Sequence, residues 1–222
     1  MTGPLSIVGI PGSLREGSRT RMAVEVVLRG AAEAGAATQL IDLREYDLPL
    51  CDGSGELARY HAGLLELRKQ VAPAQGIVLG TPEYHGSVSG ALKNALDLMG
   101  FPEFEGKVVA LVGVSEGPGG ARHALEVLRH VGRALHAWVL PRASAVPGAA
   151  TVFDATGRVI DAGVEADLLA LGRELAQSAA LRRDGPPEEF LRRWERQVSN
   201  PGADNDVRPI TRGGASGYAR PS

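Results

Sequence analysis

Residues 76–100 read GIVLGTPEYHGSVSGALKNALDLMG, an apolar run followed by a polar turn and then by a helical pattern. The run GIVLG predicts a strand buried on both faces, as in a parallel sheet. The turn TPEYHGS (81–87) then places a proline, an acid, a tyrosine and a histidine where that strand ends. Because ligands of open α/β sheets bind at the carboxyl ends of the strands, this turn is a candidate site.

Strand patterns alternate with helix patterns along the rest of the chain. Further apolar runs predict strands at residues 5–10, 37–43, 107–114 and 138–141. Helical spacing is found at residues 18–35, 55–72, 88–100, 121–137 and 165–183. Strands that alternate with helices in this way predict a parallel sheet covered on both faces, which is the α/β fold class.

The composition is that of an ordinary globular protein, with 44% apolar and 23% charged residues in a chain of 222. This length suggests one sizeable domain, or one domain with an appendage. The formal net charge of −2 gives no electrostatic reason to bind nucleic acid or an anionic membrane surface. No apolar run approaches the roughly 20 residues that span a bilayer. Because the N-terminus also lacks a signal-peptide pattern, we expect a cytoplasmic protein.

No residue pattern predicts a metal site. The single cysteine, Cys51, excludes an internal disulfide, and its polar loop favours an ordinary thiol over a nucleophile. His123 and His130 share a helical face, but no third ligand accompanies them. We therefore expect no metal.

Two segments fall outside the alternation. Residues 151–161, TVFDATGRVID, alternate apolar and polar residues around a turn, which predicts a small hairpin inserted before the last helix. Residues 199–222 are rich in Gly, Pro and polar residues and too poor in apolar groups to form a core. We therefore expect a domain at residues 1–184, followed at 185–222 by a C-terminal helix and a Gly/Pro-rich tail.

Loop 1 (residues 11–20, PGSLREGSRT) has the composition of a phosphate cradle. Its glycines allow close backbone approach, its hydroxyls and Arg15 can donate to phosphate, and the following helix start supplies free N–H groups. A plain β–α turn capped by Ser18 explains the loop equally well. The loop has neither the Walker A ending nor the G-x-G-x-x-G spacing of a dinucleotide fold, although Asp42 stands where a ribose-binding acid would.

Loop 2 (residues 81–87) suits a flat ligand with a polar edge. Pro82 stiffens it and Gly86 removes bulk, so we expect the backbone groups of residues 83–86 to be free to bond a ring. Taken alone, Tyr84 and His85 are more simply surface residues, and Glu83 is a hydrogen-bonding turn residue rather than an acid catalyst. Loop 3 (residues 115–120, SEGPGG) could pack over the ligand from the other side, or be a plain glycine-rich connection.

The motifs GSLREGSRT, TPEYHGSVSGALKNALD and GVSEGPGGARHALEVLRHVGRALHAWVLP, in this order and spacing, resemble the NADPH-dependent FMN reductase family of flavodoxin-like flavoproteins. The resemblance covers roughly residues 4–180. It implies a flavodoxin-like three-layer sandwich whose five-stranded parallel sheet has the order 2-1-3-4-5, with FMN at the strand ends. It also implies NADPH or NADH as co-substrate.

The resemblance implies which residues contact the cofactor. Many relatives have Asn where Thr20 and His85 stand. No catalytic side chain is expected, because the flavin carries the chemistry. By motif position, the FMN phosphate would be held by Ser13, Arg15, Ser18 and Thr20, and the isoalloxazine would be contacted by Pro82, Glu83, Tyr84, His85 and Gly86 and bordered by Ser115 and Gly117.

The implied activity is that of a flavin-dependent oxidoreductase. Hydride would pass from a nicotinamide to flavin N5, and then to a small acceptor such as free flavin, a quinone, an azo compound or a metal oxyanion. Two alternatives stay open. A flavodoxin-type electron carrier would meet only protein partners, for which a net charge of −2 is a weak docking signal. A nucleotide-binding or regulatory protein would use the same pocket without redox chemistry.

The helix at residues 88–99 carries apolar side chains over more of its circumference than one buried stripe requires. Either a large core or a subunit interface could explain this. Because dimers are typical of the family that the motifs resemble, we expect a homodimer or homotetramer. A monomer by light scattering at micromolar concentration would contradict that expectation.

Overall fold

Residues 3–53, 61–154 and 156–184 are described by a computed structural model. Their central element is a five-stranded sheet of order β2-β1-β3-β4-β5, in which every pairing is parallel. The fold and strand order that the resemblance implied are therefore confirmed. The strands are β1 (Ser6–Pro11), β2 (Ala37–Leu40), β3 (Gly76–Pro82), β4 (Val108–Val114) and β5 (Trp138–Val146).

Helices cover both faces of the sheet. One buried apolar cluster joins the sheet to α1 and α7, and a second joins its other face to α2, α3 and α5. The helices of the described residues are α1 (Arg19–Glu33), α2 (Ala62–Val71), α3 (Gly90–Asp97), α4 (Phe101–Phe104), α5 (Arg122–Ala134), α6 (Ala149–Val152) and α7 (Ala162–Asp184).

The central strand β4 shows why these strands are continuous apolar runs. Val108, Ala110 and Val112 belong to the cluster beneath α1 and α7. Val109 and Leu111 belong to the cluster on the opposite face. Because side chains of a strand alternate between faces and both faces are covered, every position must be apolar.

Two strand ends differ from the prediction. β2 ends at Leu40 rather than at residue 43, because Asp42 begins a short 3-10 turn by accepting a hydrogen bond from Arg44 N at 3.0 Å. β5 continues to Val146 rather than ending at residue 141. It is an edge strand, so it tolerates Pro141, which has no N–H to donate to a neighbour.

The helix predicted at residues 88–100 is the shorter α3 (Gly90–Asp97), and α4 follows it as a separate short helix. The Glu103 carboxylate accepts a hydrogen bond from Gly100 N at 2.7 Å, which starts a separate turn at Phe101. Glu103 also pairs with Arg68 at 3.0 Å, so its buried charge is compensated. The helix predicted at residues 55–72 corresponds to α2 (Ala62–Val71). Residues 54–60 lie outside the described part of the chain.

Segment 151–161 contains an antiparallel bridge between Phe153 and Val159. Asp161 then caps α7 by accepting hydrogen bonds from Gly163 N and Val164 N. Residue 155 and residues 185–222, with the expected C-terminal helix and tail, lie outside the described residues. None of the described helices has the length and apolar character needed to cross a membrane.

The two helices on the first face touch through glycines. A Cβ atom placed at Gly30 of α1 would lie 2.2 Å from the carbonyl oxygen of Leu169 in α7. A Cβ at Gly172 of α7 would lie 1.9 Å from the carbonyl oxygen of Val27 in α1. Both distances are far below van der Waals contact, so the two backbones approach this closely only because neither residue has a side chain.

We expect Gly172→Ala to lower the free energy of unfolding by about 1–3 kcal/mol, because the added methyl group forces α1 and α7 apart. This loss should occur although alanine is favoured over glycine inside helices by about 1 kcal/mol. Gly90→Ala is the matched control, since a Cβ there meets nothing within 4 Å. In urea denaturation it should be as stable as the wild type, or more stable by up to about 1 kcal/mol. Equal stability of both variants would contradict the backbone contact.

Candidate flavin site

The three loops meet at one cleft, at the carboxyl ends of β1, β3 and β4. Its volume of about 540 Å³ lies within the range of about 300–1,000 Å³ that is typical of cofactor sites. His85 and Gly86 are the two expected site residues that do not line it. The expected residues that do are Ser13, Arg15, Ser18, Thr20, Pro82, Glu83, Tyr84, Ser115 and Gly117.

Loop 1 contains the helix cap that its sequence allowed, and its hydroxyl residues line the cleft. The Ser18 hydroxyl caps α1, because its oxygen accepts a hydrogen bond from Arg21 N at 3.2 Å. Capping uses the hydroxyl only as an acceptor, so its hydrogen is still available to a ligand. Ser13 and Thr20 are buried and line the same end of the cleft. The N-terminus of α1 adds free N–H groups and the positive end of a helix dipole.

Two arginines line the cleft, and only one of them is engaged. Arg19 forms an ion pair with Glu116 of loop 3, with 2.5 Å between Nη1 and Oε1. Arg15 is exposed, and no side chain in the described part of the molecule pairs with its guanidinium. Arg15 is therefore the cation that this end of the cleft offers to an anionic ligand.

The tip of loop 2 is a tight two-residue turn. Tyr84 N donates to Ser87 O at 3.0 Å, and Ser87 N donates to Tyr84 O at 3.1 Å. Between them, His85 and Gly86 have φ angles of 52° and 75°, as in a type I′ turn. Histidine and asparagine adopt this left-handed conformation more readily than most residues, so His85 shapes the turn.

This turn corrects one expectation. The backbone groups of residues 83–86 were expected to be free for a ring, but the N–H and C=O of Tyr84 are both used by Ser87. His85 and Gly86 form the tip and do not line the cleft. The cleft wall formed by loop 2 therefore consists of Pro82, Glu83 and Tyr84.

A buried serine joins loop 1 to the helix that follows loop 2. Ser89 caps α3 and donates its hydroxyl hydrogen to Gly12 O at 2.6 Å. A Cβ at Gly12 would lie 2.6 Å from Leu92 Cβ and 2.7 Å from Ser89 Oγ. Loop 1 can therefore rest on α3 only because residue 12 is glycine.

Loop 3 is fixed to the end of β5 and to the segment that follows it. Ser115 N donates to Val146 O at 3.0 Å, and its hydroxyl donates to Gly117 O at 3.0 Å. The Glu116 carboxylate accepts from Ala150 N at 2.9 Å, in the first turn of α6. These bonds hold the glycine-rich segment in place without bulky side chains.

The lining also includes residues that the sequence reasoning did not single out. The opposite charges on loops 1 and 3 could have indicated the pair of Arg19 and Glu116, since both loops were expected at one edge. Ala149 gave no signal, because β5 was expected to end well before it. The additional residues are Arg19, Val114, Glu116, Gly119, Ala121 and Ala149.

Asp42, the candidate ribose ligand of a dinucleotide fold, is buried and does not line the cleft. Its carboxylate accepts hydrogen bonds from the backbone and the guanidinium of Arg44, and Arg21 lies 3.5 Å away. These bonds from Arg44 hold the pKa of Asp42 below its usual 3.8. The residue is thus engaged in the fold, which removes the support for a dinucleotide site there.

The donors in the cleft suit an anion joined to a flat polar ring. They are hydroxyls, one uncommitted guanidinium and the N–H groups at the start of α1. Among residues 3–53, 61–154 and 156–184, no group of three or more His, Cys, Asp or Glu side chains could hold a metal ion. The Cys51 thiol donates to Asp97 O at 3.5 Å and does not line the cleft.

A parallel sheet of this order, with a ligand cleft where the strand order reverses, defines the flavodoxin-like class of α/β proteins. The profile of the NADPH-dependent FMN reductase family matches residues 5–151. The chain belongs to this family. The protein is therefore an enzyme, an oxidoreductase that uses FMN and NAD(P)H.

Individual relatives agree with this assignment. An NAD(P)H-dependent FMN reductase of Pseudomonas aeruginosa is 31% identical over 72% of this chain and 88% of its own length. An NADPH azoreductase of a Bacillus species is 36% identical over 65% of this chain and 78% of its own. The solved flavoenzyme NAD(P)H:acceptor oxidoreductase of Paracoccus denitrificans shares the fold, with a TM-score of 0.67 and 22% identity over 81% of this chain and 99% of its own.

The bonds of Asp42 predict a pH-dependent contribution to stability. Because the pKa of this carboxyl is lowered in the folded protein, its contribution is fully present above pH 3.8 and is lost as the pH falls through the folded value. We expect Asp42→Asn to lower the free energy of unfolding by about 1.5–3 kcal/mol at pH 7, since bonds to a charged group are lost. The difference from the wild type should shrink below pH 3.8.

Urea denaturation between pH 7 and pH 3 measures this difference. The exposed Asp47→Asn variant is the control, and it should match the wild type throughout. A loss of stability in Asp42→Asn that stays constant down to pH 3 would show that the carboxylate charge is not the cause.

Proposed function

We propose that the protein holds FMN in the cleft between loops 1, 2 and 3 and uses it to reduce a small planar acceptor at the expense of NAD(P)H. The observation that carries this proposal is the meeting of the three loops at one cleft. An uncommitted cation lies at its helix end, and small or flat residues form its other walls. Family membership supplies the identity of the cofactor.

The phosphate of FMN would be held at the loop 1 end. Ser13, Ser18 and Thr20 offer buried hydroxyl groups, and Arg15 offers a guanidinium without another partner among the described residues. The N-terminus of α1 is a favourable position for an anion, because its free N–H groups and dipole both attract negative charge. Hydroxyls, a cation and a helix start together fit a phosphate.

The ring would lie between the walls formed by loops 2 and 3. Pro82 and Tyr84 form one wall, while Ser115 and Gly117 form the other. Tyr84 lines the cleft and is 45% exposed, so its ring could offer a flat apolar surface to a second planar molecule. This exposure favours a planar acceptor, and the family acts on small-molecule acceptors such as azo compounds and quinones.

Bound FMN would supply the redox chemistry, by accepting hydride equivalents from the nicotinamide and passing them to the acceptor. The residues of the chain supply position and charge. Arg15 would anchor the phosphate, and the walls would orient the two planar partners face to face. Glu83 and Glu116 already accept hydrogen bonds from backbone N–H groups, so one oxygen of each carboxylate is engaged within the chain.

The carrier alternative has less support. Family membership defines an enzyme, and the exposed Tyr84 surface suits a small planar molecule better than a charge-guided protein partner. A carrier would be reduced by a partner protein and would not oxidise NAD(P)H repeatedly.

The homodimer stays a prediction, but the apolar circumference of the helix at residues 88–99 no longer supports it strongly. Leu92, Ala95, Leu96, Leu98 and Met99 are all buried within a single chain. A large core therefore explains the apolar circumference of α3, without a subunit interface.

The purified protein with FMN should lose its flavin absorbance near 450 nm (about that wavelength for oxidised flavin) when NADPH or NADH is added anaerobically. Adding a quinone or an azo dye should then restore the band. The nucleotide that bleaches faster identifies the preferred co-substrate. Bound flavin that neither nucleotide bleaches would indicate the carrier, and a protein that binds no flavin would contradict the proposed site.

Arg15→Ala should weaken FMN binding about ten- to hundredfold, the size expected for a lost charge-assisted contact to phosphate. Arg19→Ala is the matched control, because Arg19 lines the same cleft but is paired with Glu116. It should change FMN affinity less than about threefold. Fluorescence titration with FMN, and with riboflavin, which lacks the phosphate, measures both. If Arg15→Ala weakens riboflavin as much as FMN, Arg15 does not bind the phosphate.

A further inference from the structure

The carboxylate of Glu83 reaches from loop 2 to the helix that follows loop 3. Its Oε2 accepts a hydrogen bond from Ala124 N at 3.2 Å, across 41 residues of sequence. Its Oε1 lies 3.5 Å from His123 Nδ1. The Glu83 side chain is only 20% exposed, while that of His123 is 83% exposed. The backbone contact is therefore the more protected of the two.

Helix α5 has no cap from its own preceding residues. Its N-cap position is Ala121, which has no side-chain acceptor and lies at a φ of 64°. The first N–H groups of a helix need acceptors, and a carboxylate is favoured there by the helix dipole. Glu83 provides this acceptor from a different loop.

The bond joins a wall of the cleft, loop 2, to the start of the helix that follows loop 3. Beyond the sheet, the register between β3 and β4 ends at the pair of Pro82 and Val114. Glu83 follows Pro82 directly, and its partner lies in the first turn after loop 3. The bond thus connects the segments that follow β3 and β4, just beyond the last paired residues of the two strands. A flat ring would lie at these strand ends.

We propose that Glu83 is a positioning residue, whose carboxylate fixes the distance between loops 2 and 3 and so shapes the cleft for a flat ring. The identity of that ring as flavin rests on the proposed function. The coupling of the two loops does not, since it follows from contacts within the chain. Glu83 acts here through the backbone of α5 rather than by touching the reacting atoms.

Two variants and a control test the proposal. Glu83→Ala removes the acceptor, whereas Glu83→Gln keeps an amide oxygen that can accept from Ala124 N. Leu128→Ala is the control, because Leu128 is fully buried in α5 and does not line the cleft. It destabilises the same helix without touching the bond between the loops.

In FMN titrations, Glu83→Ala should raise the Kd about tenfold, a change of the size expected for one lost hydrogen bond. Glu83→Gln should stay within about threefold of the wild type, because the acceptor is retained. Leu128→Ala should lower the melting temperature and leave the Kd unchanged. A Glu83→Ala protein that melts earlier but binds FMN as the wild type does would overturn the proposal, and so would a Gln variant as weak as the Ala variant.

Hydrogen exchange of the flavin-free protein tests the coupling independently. Glu83→Ala should speed exchange in residues 82–87 and 121–125 together, while Leu128→Ala should affect only α5. Exchange in Glu83→Ala that rises in only one of the two segments would refute the coupling. A wild-type protein that binds no FMN would contradict the proposed function, and the exchange measurement would still decide the role of Glu83.

Discussion

The hydroxyl of Ser89 is the contact on which the arrangement of the cleft depends. It is 2% exposed, caps α3, and donates to the carbonyl of Gly12 at 2.6 Å. The Ser89 backbone N–H in turn donates to Thr81 Oγ1 at 3.1 Å, which ties α3 to the end of β3. One buried side chain thus sets the distance between the loops after β1 and β3, where the strand order of the sheet reverses.

Three side-chain contacts connect the three loops in a closed ring. Ser89 joins loop 1 to the helix after loop 2, Glu83 joins loop 2 to the helix after loop 3, and Arg19 joins loop 1 to loop 3 through Glu116. The first is buried and the second is half-buried, so both are expected to be more persistent than the exposed ion pair. Such a preformed cleft suits an enzyme whose cofactor supplies the chemistry and whose chain supplies orientation.

The sheet was predictable from the sequence because its strands are local patterns. Both faces are covered, so each strand is an apolar run, and Gly- and Pro-rich loops mark the strand ends. The strand order came from the resemblance of three motifs. The contact of Glu83 with Ala124 was not predictable, because no local pattern records it. The turn at His85 was not predicted, because neither its left-handed φ angle nor the two hydrogen bonds between Tyr84 and Ser87 leave a pattern in the sequence. β5 continues past its predicted end at residue 141, because an edge position tolerates Pro141.

The most direct test of the account is a crystal structure of the protein with FMN. The account predicts a phosphate at the start of α1, in contact with Arg15 and the loop 1 hydroxyls. It also predicts a ring between Pro82 and Tyr84 on one side and Ser115 and Gly117 on the other. The bond between Glu83 and Ala124 N should be preserved in that complex. A phosphate bound away from loop 1, or a ring outside the cleft, would contradict the central claim that these three loops form one flavin site.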